Sequence, residues 1–229
     1  MSNDPRKQAL IALLLLVPMP SLGTAMGLWI APGAFGKTIY FICKTWILAL
    51  PAVWLLWIER GRLSLSPARK GGFVFGVVSG LLISALIYGV YRLLLVYGLD
   101  TTKLREVAAD SGFATLGLYV AFAAYLTLIN AALEEYVWRW FVFTRWERLT
   151  SAWAAAICAA ACFALHHILA LGIFLPWSVT GLAVAGVFVG GVVWCWCYKR
   201  YRSIWPGYVS HALVDVAIFI IGWELLFVR

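Results

Sequence analysis

Seven long apolar runs constrain this chain more than any other feature. They lie near Leu10–Ile30, Thr38–Ile58, Phe73–Tyr97, Phe113–Phe143, Ala152–Gly172, Trp177–Tyr198 and Ile204–Phe227. Each meets or exceeds the roughly 20 residues that a helix needs to cross the hydrocarbon. Backbone N–H and C=O groups find no water there, so an apolar run of this length must satisfy its own hydrogen bonds as a helix. The sequence therefore predicts an all-α polytopic membrane protein of about seven transmembrane helices. Composition agrees: charged residues make up 12% of the chain, about half the soluble norm of roughly 25%, and the mean hydropathy is +0.91. Thirteen Trp and ten Tyr suit aromatic belts at the two interfaces.

Charge gives the expected orientation. The N-terminus and the even-numbered loops share eleven basic residues: Arg6, Lys7, Arg60, Arg62, Arg69, Lys70, Arg145, Arg148, Lys199, Arg200 and Arg202. The other side holds four, Lys37, Lys103, Arg105 and Arg229. By the positive-inside rule the N-terminus is expected in the cytoplasm. The net charge of +8 follows this topology and does not call for nucleic acid. Lys44 and Arg92 fall inside spans, within snorkelling reach of the outer interface. The basic start and first apolar run resemble a signal peptide, but the run continues past Ser21-Leu22-Gly23. It is read as a retained helix, kinked near Pro18 and Pro20. Residues 1–229 are expected to form a single helical membrane domain, with accessory helices over about 10–97 and a motif-bearing core over about 113–227. The five cysteines (Cys43, Cys158, Cys162, Cys195, Cys197) fall in apolar segments and read as core packing.

The fourth run carries Asn130-Ala131-Ala132-Leu133-Glu134-Glu135-Tyr136-Val137-Trp138-Arg139. Ionisable groups within a membrane are costly and usually mark function. Glu135 and Arg139 are four apart, acid first, the favoured order for a helical ion pair. Glu134 is turned about 100° away, onto the face of Asn130 and Trp138. Glu135 is therefore expected to be neutralised by Arg139, leaving Glu134 for another task. All three histidines of the chain, His166, His167 and His211, also fall within spans. His167 shares a helical face with Phe163, and Asp215 stacks one turn beyond His211.

Depth allows these groups to meet. Glu134 lies 14 residues before Arg148 and His167 lies 19 after it, or roughly 21 and 28 Å from that turn along straight helices. His211 is nine residues beyond Arg202, roughly 14 Å from its own loop on the same side. A carboxylate and two imidazoles in a partly dry cavity can activate water against a carbonyl and donate to the oxyanion that forms. The same three groups could instead bind zinc, with an open position for water. Other routes to peptide cleavage fit poorly. The chain has no His-Glu-x-x-His signature and no Gly-x-Ser-x-Gly elbow. A single aspartate within a span excludes an aspartyl dyad.

Glu134-Glu135-Tyr136-Val137-Trp138-Arg139, Phe163 to His167, and His211 to Asp215 occur in order on separate spans. In this the chain resembles the CPBP (ABI or CAAX protease) family of intramembrane endopeptidases, whose motifs are Glu-Glu-x-x-x-Arg, Phe-x-x-x-His and His-x-x-x-Asn or Asp. The resemblance covers about Phe113 to Phe227. It implies that Glu134 is the catalytic carboxylate, with His167 its partner on the water. His211 and Asp215 occupy the oxyanion side, and Glu135 with Arg139 shapes the site. The family has been described both as metal-dependent and as a metal-free glutamate type. The metal-free form is favoured here, with Glu134, His167 and His211 as the zinc ligands if a metal is used. Asp215 stands where an asparagine could donate to an oxyanion, whereas an ionised aspartate only accepts. Its expected role is to orient His211.

The function expected is hydrolysis of a peptide bond in a membrane-associated, prenylated or secreted peptide. Membrane lipid and the peptide substrate are the expected partners, and nucleic acid is not. The expected location is a bacterial inner membrane, with the site towards the cytoplasm. Two alternatives stay open: an ion- or proton-coupled transporter using the same groups as a relay, and a non-catalytic scaffold or immunity protein. Inverted repeats or paired broken helices would favour the first, and neither is found.

Overall fold

The computed structural model describes residues 4–228. Met1–Asn3 and Arg229, the last of these counted in the charge comparison, lie outside the described residues. Among the described residues seven helices are long and apolar enough to cross a membrane: α1 (Pro5–Ile30), α2 (Ala34–Ile58), α3 (Phe73–Val96), α5 (Leu116–Leu149), α6 (Ala152–Gly172), α7 (Trp177–Tyr201) and α8 (Ile204–Val228). A short helix, α4 (Thr102–Asp110), occupies the long loop after α3. No strand occurs among the described residues. The protein is an all-helical integral membrane protein, as the apolar runs required.

Local sequence explains the irregularities. Pro18 and Pro20 remove two amide donors from α1, and that helix is interrupted at Val17 before resuming at Pro18. The 34-residue α5 is the longest span. It is α-helical at Leu116–Ala124, π-helical at Tyr125–Asn130, α-helical again for Ala131–Glu134, and π-helical over Glu135–Phe143. Widened turns of this kind recur at functional sites, and the two glutamates straddle one of the junctions.

Small residues set how closely the helices approach, which is how packing is driven where lipid is as apolar as the helices themselves. On α6, Ala155, Ala156, Ala159 and Ala160 are buried, and a Cβ on Gly191 of α7 would sit 3.0 Å from that of Ala160. Helix α8 lies along α3 at two such points. A Cβ on Gly76 would meet the Pro206 carbonyl, and one on Gly80 would lie 3.0 Å from the Cα of Ser210. The core centres on α5, where Val137, Trp138, Phe141, Val142 and Phe143 are buried against α1, α2, α6 and α7.

Polar contacts tie together the end of the bundle that carries most of the basic residues. Glu59 accepts from Arg145 at 2.9 Å and from Arg148 at 2.7 Å, and Glu147 takes Arg202 through both oxygens at 2.7 and 2.9 Å. Arg6 donates to the Leu149 carbonyl at 3.0 Å. The extended segment after α2 is fastened to the start of α8. Ser203 Oγ donates to the Ser66 carbonyl at 2.6 Å, and the Trp205 indole donates to that of Leu65 at 2.8 Å.

Because backbone cannot yield as a side chain does, Gly76→Ala is expected to cost about 1–3 kcal/mol through overpacking. Gly186→Ala, where a Cβ would meet nothing within 4 Å, should leave stability unchanged. Thermal unfolding followed by tryptophan fluorescence in detergent checks this: only the first variant should melt several degrees lower.

Candidate active site

The site forms where α5, α6 and α8 converge, with α2 closing one side. Glu134 and Asn130 are one turn apart on α5, and Asn130 Nδ2 donates to Glu134 Oε1 at 2.9 Å. The other carboxylate oxygen, Oε2, faces His211 Nε2 at 3.6 Å. His167 is within electrostatic reach of Glu134. Glu134 retains 16% side-chain exposure, against 1% for Glu135. Of the two adjacent acids, only Glu134 can meet water or a substrate.

Glu135 is buried in a pair whose form the spacing anticipated. Arg139 Nε stands 3.3 Å from Glu135 Oε1, both side chains being sealed from solvent. The Arg139 guanidinium has no hydrogen-bond acceptor among the described residues. Its charge is met by Glu135 and by two aromatic faces, with Cζ 4.5 Å from the Phe163 ring centre and 5.0 Å from that of Trp194. Such cation–π contacts strengthen when desolvated.

His211 is held differently from the expectation. Its Nδ1 lies 3.1 Å from Glu135 Oε1, so the orienting carboxylate is Glu135, not Asp215. Asp215 Oδ1 stands 3.9 Å from Nε2, beyond hydrogen-bond length. Asp215, one turn along the same helix, comes near Nε2, while Glu135 meets Nδ1 from α5. Since a carboxylate only accepts, Nδ1 carries a proton and Nε2 points at Glu134. His167 is fixed by its own helix, with Nδ1 2.9 Å from the Phe163 carbonyl. A carbonyl also only accepts, so the neutral His167 presents its Nε2 lone pair. Phe163 lies edge-on to both imidazoles, 4.6 Å from His167 and 6.2 Å from His211 between ring centres. His166 stacks on Trp138 at 5.6 Å instead.

Residues 115–217 match the family model for Type II CAAX prenyl endopeptidase Rce1-like proteins. The match spans 103 of the 229 residues, and over that stretch the chain is similar to this family. The match contains all three motifs and closes two residues beyond Asp215. No curated protein and no solved structure matches the chain.

The site also includes residues that lie outside the motifs. Trp194 stacks on His211 with ring centres 4.1 Å apart and planes 14° from parallel, and its indole donates to Ser210 Oγ at 3.0 Å. Gly207 leaves room for Glu135, since a Cβ there would lie 2.6 Å from Oε2. Trp194 and Gly207 look like ordinary membrane residues in the sequence, and only Ser210, adjacent to His211, had a positional hint. Lys44 departs from expectation as well. It does not snorkel outward: its Nζ donates to Asn130 Oδ1 at 2.7 Å, because its long stem reaches across from α2 to α5. Arg92 is exposed, as anticipated, beside the Tyr88 hydroxyl at 3.5 Å.

Zinc was the alternative use of Glu134, His167 and His211. Among the described residues no group of three or more His, Cys, Asp or Glu side chains is disposed to hold a metal ion.

Removing one partner of a buried pair strands the other charge, at about 3–5 kcal/mol. Arg139→Ala should therefore lower the yield of folded protein much more than Glu134→Gln does. Size-exclusion recovery after detergent extraction measures this, and equal yields would contradict the structural role of the pair.

Proposed function

We propose that this protein is an intramembrane endopeptidase that hydrolyses a peptide bond of a prenylated or otherwise membrane-anchored substrate. The observation that carries the reading is the meeting of Glu134 and His211. They come from separate spans, one carboxylate oxygen is fixed by Asn130, and the other faces an imidazole whose far nitrogen is fixed by Glu135. A dry, pre-arranged constellation of donors and acceptors is what peptide hydrolysis requires.

Glu134 acts as general base. Its free oxygen takes a proton from water as the water oxygen bonds to the scissile carbonyl carbon, and the Nε2 lone pair of His167 helps aim that water. The carbonyl π electrons move onto oxygen. His211, protonated at both nitrogens, donates from Nε2 to that oxyanion. Negative charge from Glu134, Glu135 and Asp215 surrounds the imidazolium, while Arg139 and Lys44 offset it. When the tetrahedral intermediate collapses, the C–N bond breaks and Glu134 returns its proton to the leaving amine. Asp215 can only accept when ionised, so it acts on the Nε2 edge of His211 and not on the oxyanion. The membrane-facing substrate fits a CAAX-type activity. The concentration of basic residues at one end of the bundle supports placing that end in the cytoplasm.

Purified protein should release the C-terminal tripeptide from a farnesylated peptide ending in a CAAX sequence, with the fragments read by mass. Glu134→Gln is expected to lower kcat by about 10²–10⁴-fold, the usual worth of a general base. Cleavage that survives this substitution would overturn the role given to Glu134, whereas a cellular phenotype that survives it in folded protein would favour a scaffold. Activity is expected to persist after chelator treatment; loss with rescue by zinc would overturn the metal-free form.

A further inference from the structure

Lys44 belongs to α2, outside the residues that match the Rce1-like model, yet it touches the site. Its Nζ donates to Asn130 Oδ1 at 2.7 Å, and Asn130 Nδ2 donates to Glu134 Oε1 at 2.9 Å. An ammonium only donates, an ionised carboxylate only accepts, and a side-chain amide has one end of each kind. With Lys44 on its oxygen, Asn130 must turn its NH2 to Glu134. The flipped amide would set donor against donor at Lys44 and oxygen against oxygen at Glu134.

The first two helices seat this lysine. A Cβ on Gly23 of α1 would lie 2.9 Å from the Cβ of Cys43, and one on Gly27 would lie 3.2 Å from that of Tyr40. The two glycines, one helical turn apart, let α1 press on α2 at the residue before Lys44 and one turn earlier. One turn after Lys44, the Tyr136 hydroxyl of α5 donates to the Leu48 carbonyl at 3.3 Å. These contacts fix the rotation of α2 that turns a charged side chain towards α5 and away from lipid, where it would cost at least a few kcal/mol.

We propose that Lys44 is a positioning residue for the hydrolysis. Through Asn130 it pins Oε1 of Glu134 and leaves Oε2, opposite His211, free for the attacking water. The proposal rests on the endopeptidase reading of the Glu134 site. It gives the helices that precede the motifs a part in catalysis: they deliver one ammonium group to a carboxylate on another helix.

The test uses full-length protein and the farnesylated CAAX peptide, with kcat and KM measured for the wild type, Lys44→Met, Lys44→Arg, Asn130→Leu and the Lys44→Met/Asn130→Leu double variant. Lys44→Met should lower kcat about ten- to a hundredfold, the range expected when a reacting group is misplaced, with KM within twofold. Lys44→Arg, which keeps a cationic donor, should restore most of the rate. In the Asn130→Leu background, Lys44→Met should add nothing. A wild-type kcat for Lys44→Met would overturn the proposal, as would equal loss in the Met and Arg variants. Carbodiimide labelling of Glu134, located by fragment mass, supplies a readout that needs no turnover. Lys44→Met should speed that labelling at least threefold, and Lys44→Arg should not. If neither the wild type nor Glu134→Gln cleaves peptide, the endopeptidase reading fails. The labelling then decides the Lys44–Asn130–Glu134 link separately: unchanged labelling in Lys44→Met overturns it.

Discussion

A carboxylate sealed away from both water and lipid has to be answered by charge, and Glu135 sets that demand at the centre of this bundle. Arg139 answers it from one turn along α5, and His211 answers it from α8. Much of the remaining arrangement follows. The Arg139 guanidinium needs surroundings that tolerate a cation, and the rings of Phe163 from α6 and Trp194 from α7 supply them. Three helices are thereby fixed around a single ion pair on a fourth. Gly207 is part of the same solution, because only a residue without a side chain lets α8 come so close to Oε2. Replacing such a buried pair with apolar residues is often neutral for stability, whereas breaking it is not. Its value here lies in where it puts His211.

The two adjacent glutamates differ in burial. Glu135 is a fixed internal anchor, while Glu134 keeps a path to solvent and one oxygen uncommitted. Around them three carboxylates, Glu134, Glu135 and Asp215, face Arg139, Lys44 and His211. Arg139 comes from α5 and Lys44 from α2, so these polar contacts tie the first part of the chain to the motif-bearing part. Phe163 is near both imidazoles: its ring lies edge-on to each, and its carbonyl accepts from His167 Nδ1.

Much of this was legible in the chain because two signals are local. An apolar run of membrane length has only one regular form in lipid, so the spans were readable, although the first begins at Pro5 and not Leu10 and the fourth runs on to Leu149 past Phe143. Spacing of three or four residues on a helix says which side chains share a face, so the Glu135–Arg139 pair and the company of Glu134 with Asn130 were readable. The partner of His211 was not. Periodicity favoured Asp215, four residues away, whereas the orienting oxygen belongs to Glu135, 76 residues earlier. Lys44 was misread for a related reason. Snorkelling is a rule for an isolated helix, and a neighbour offering an acceptor changes which way a long side chain turns.

The sequence alone determined the helical class, the number of spans and the identity of the residues able to do chemistry, since each depends on length, hydropathy or short-range spacing. Only the tertiary structure decided which of those residues meet. Helix rotation and approach depend on small side chains such as Gly76, Gly191 and Gly207, and contacts between spans have no period along the chain. That Glu134 faces His211, that Glu135 holds it and that Lys44 turns inward are therefore properties of packing.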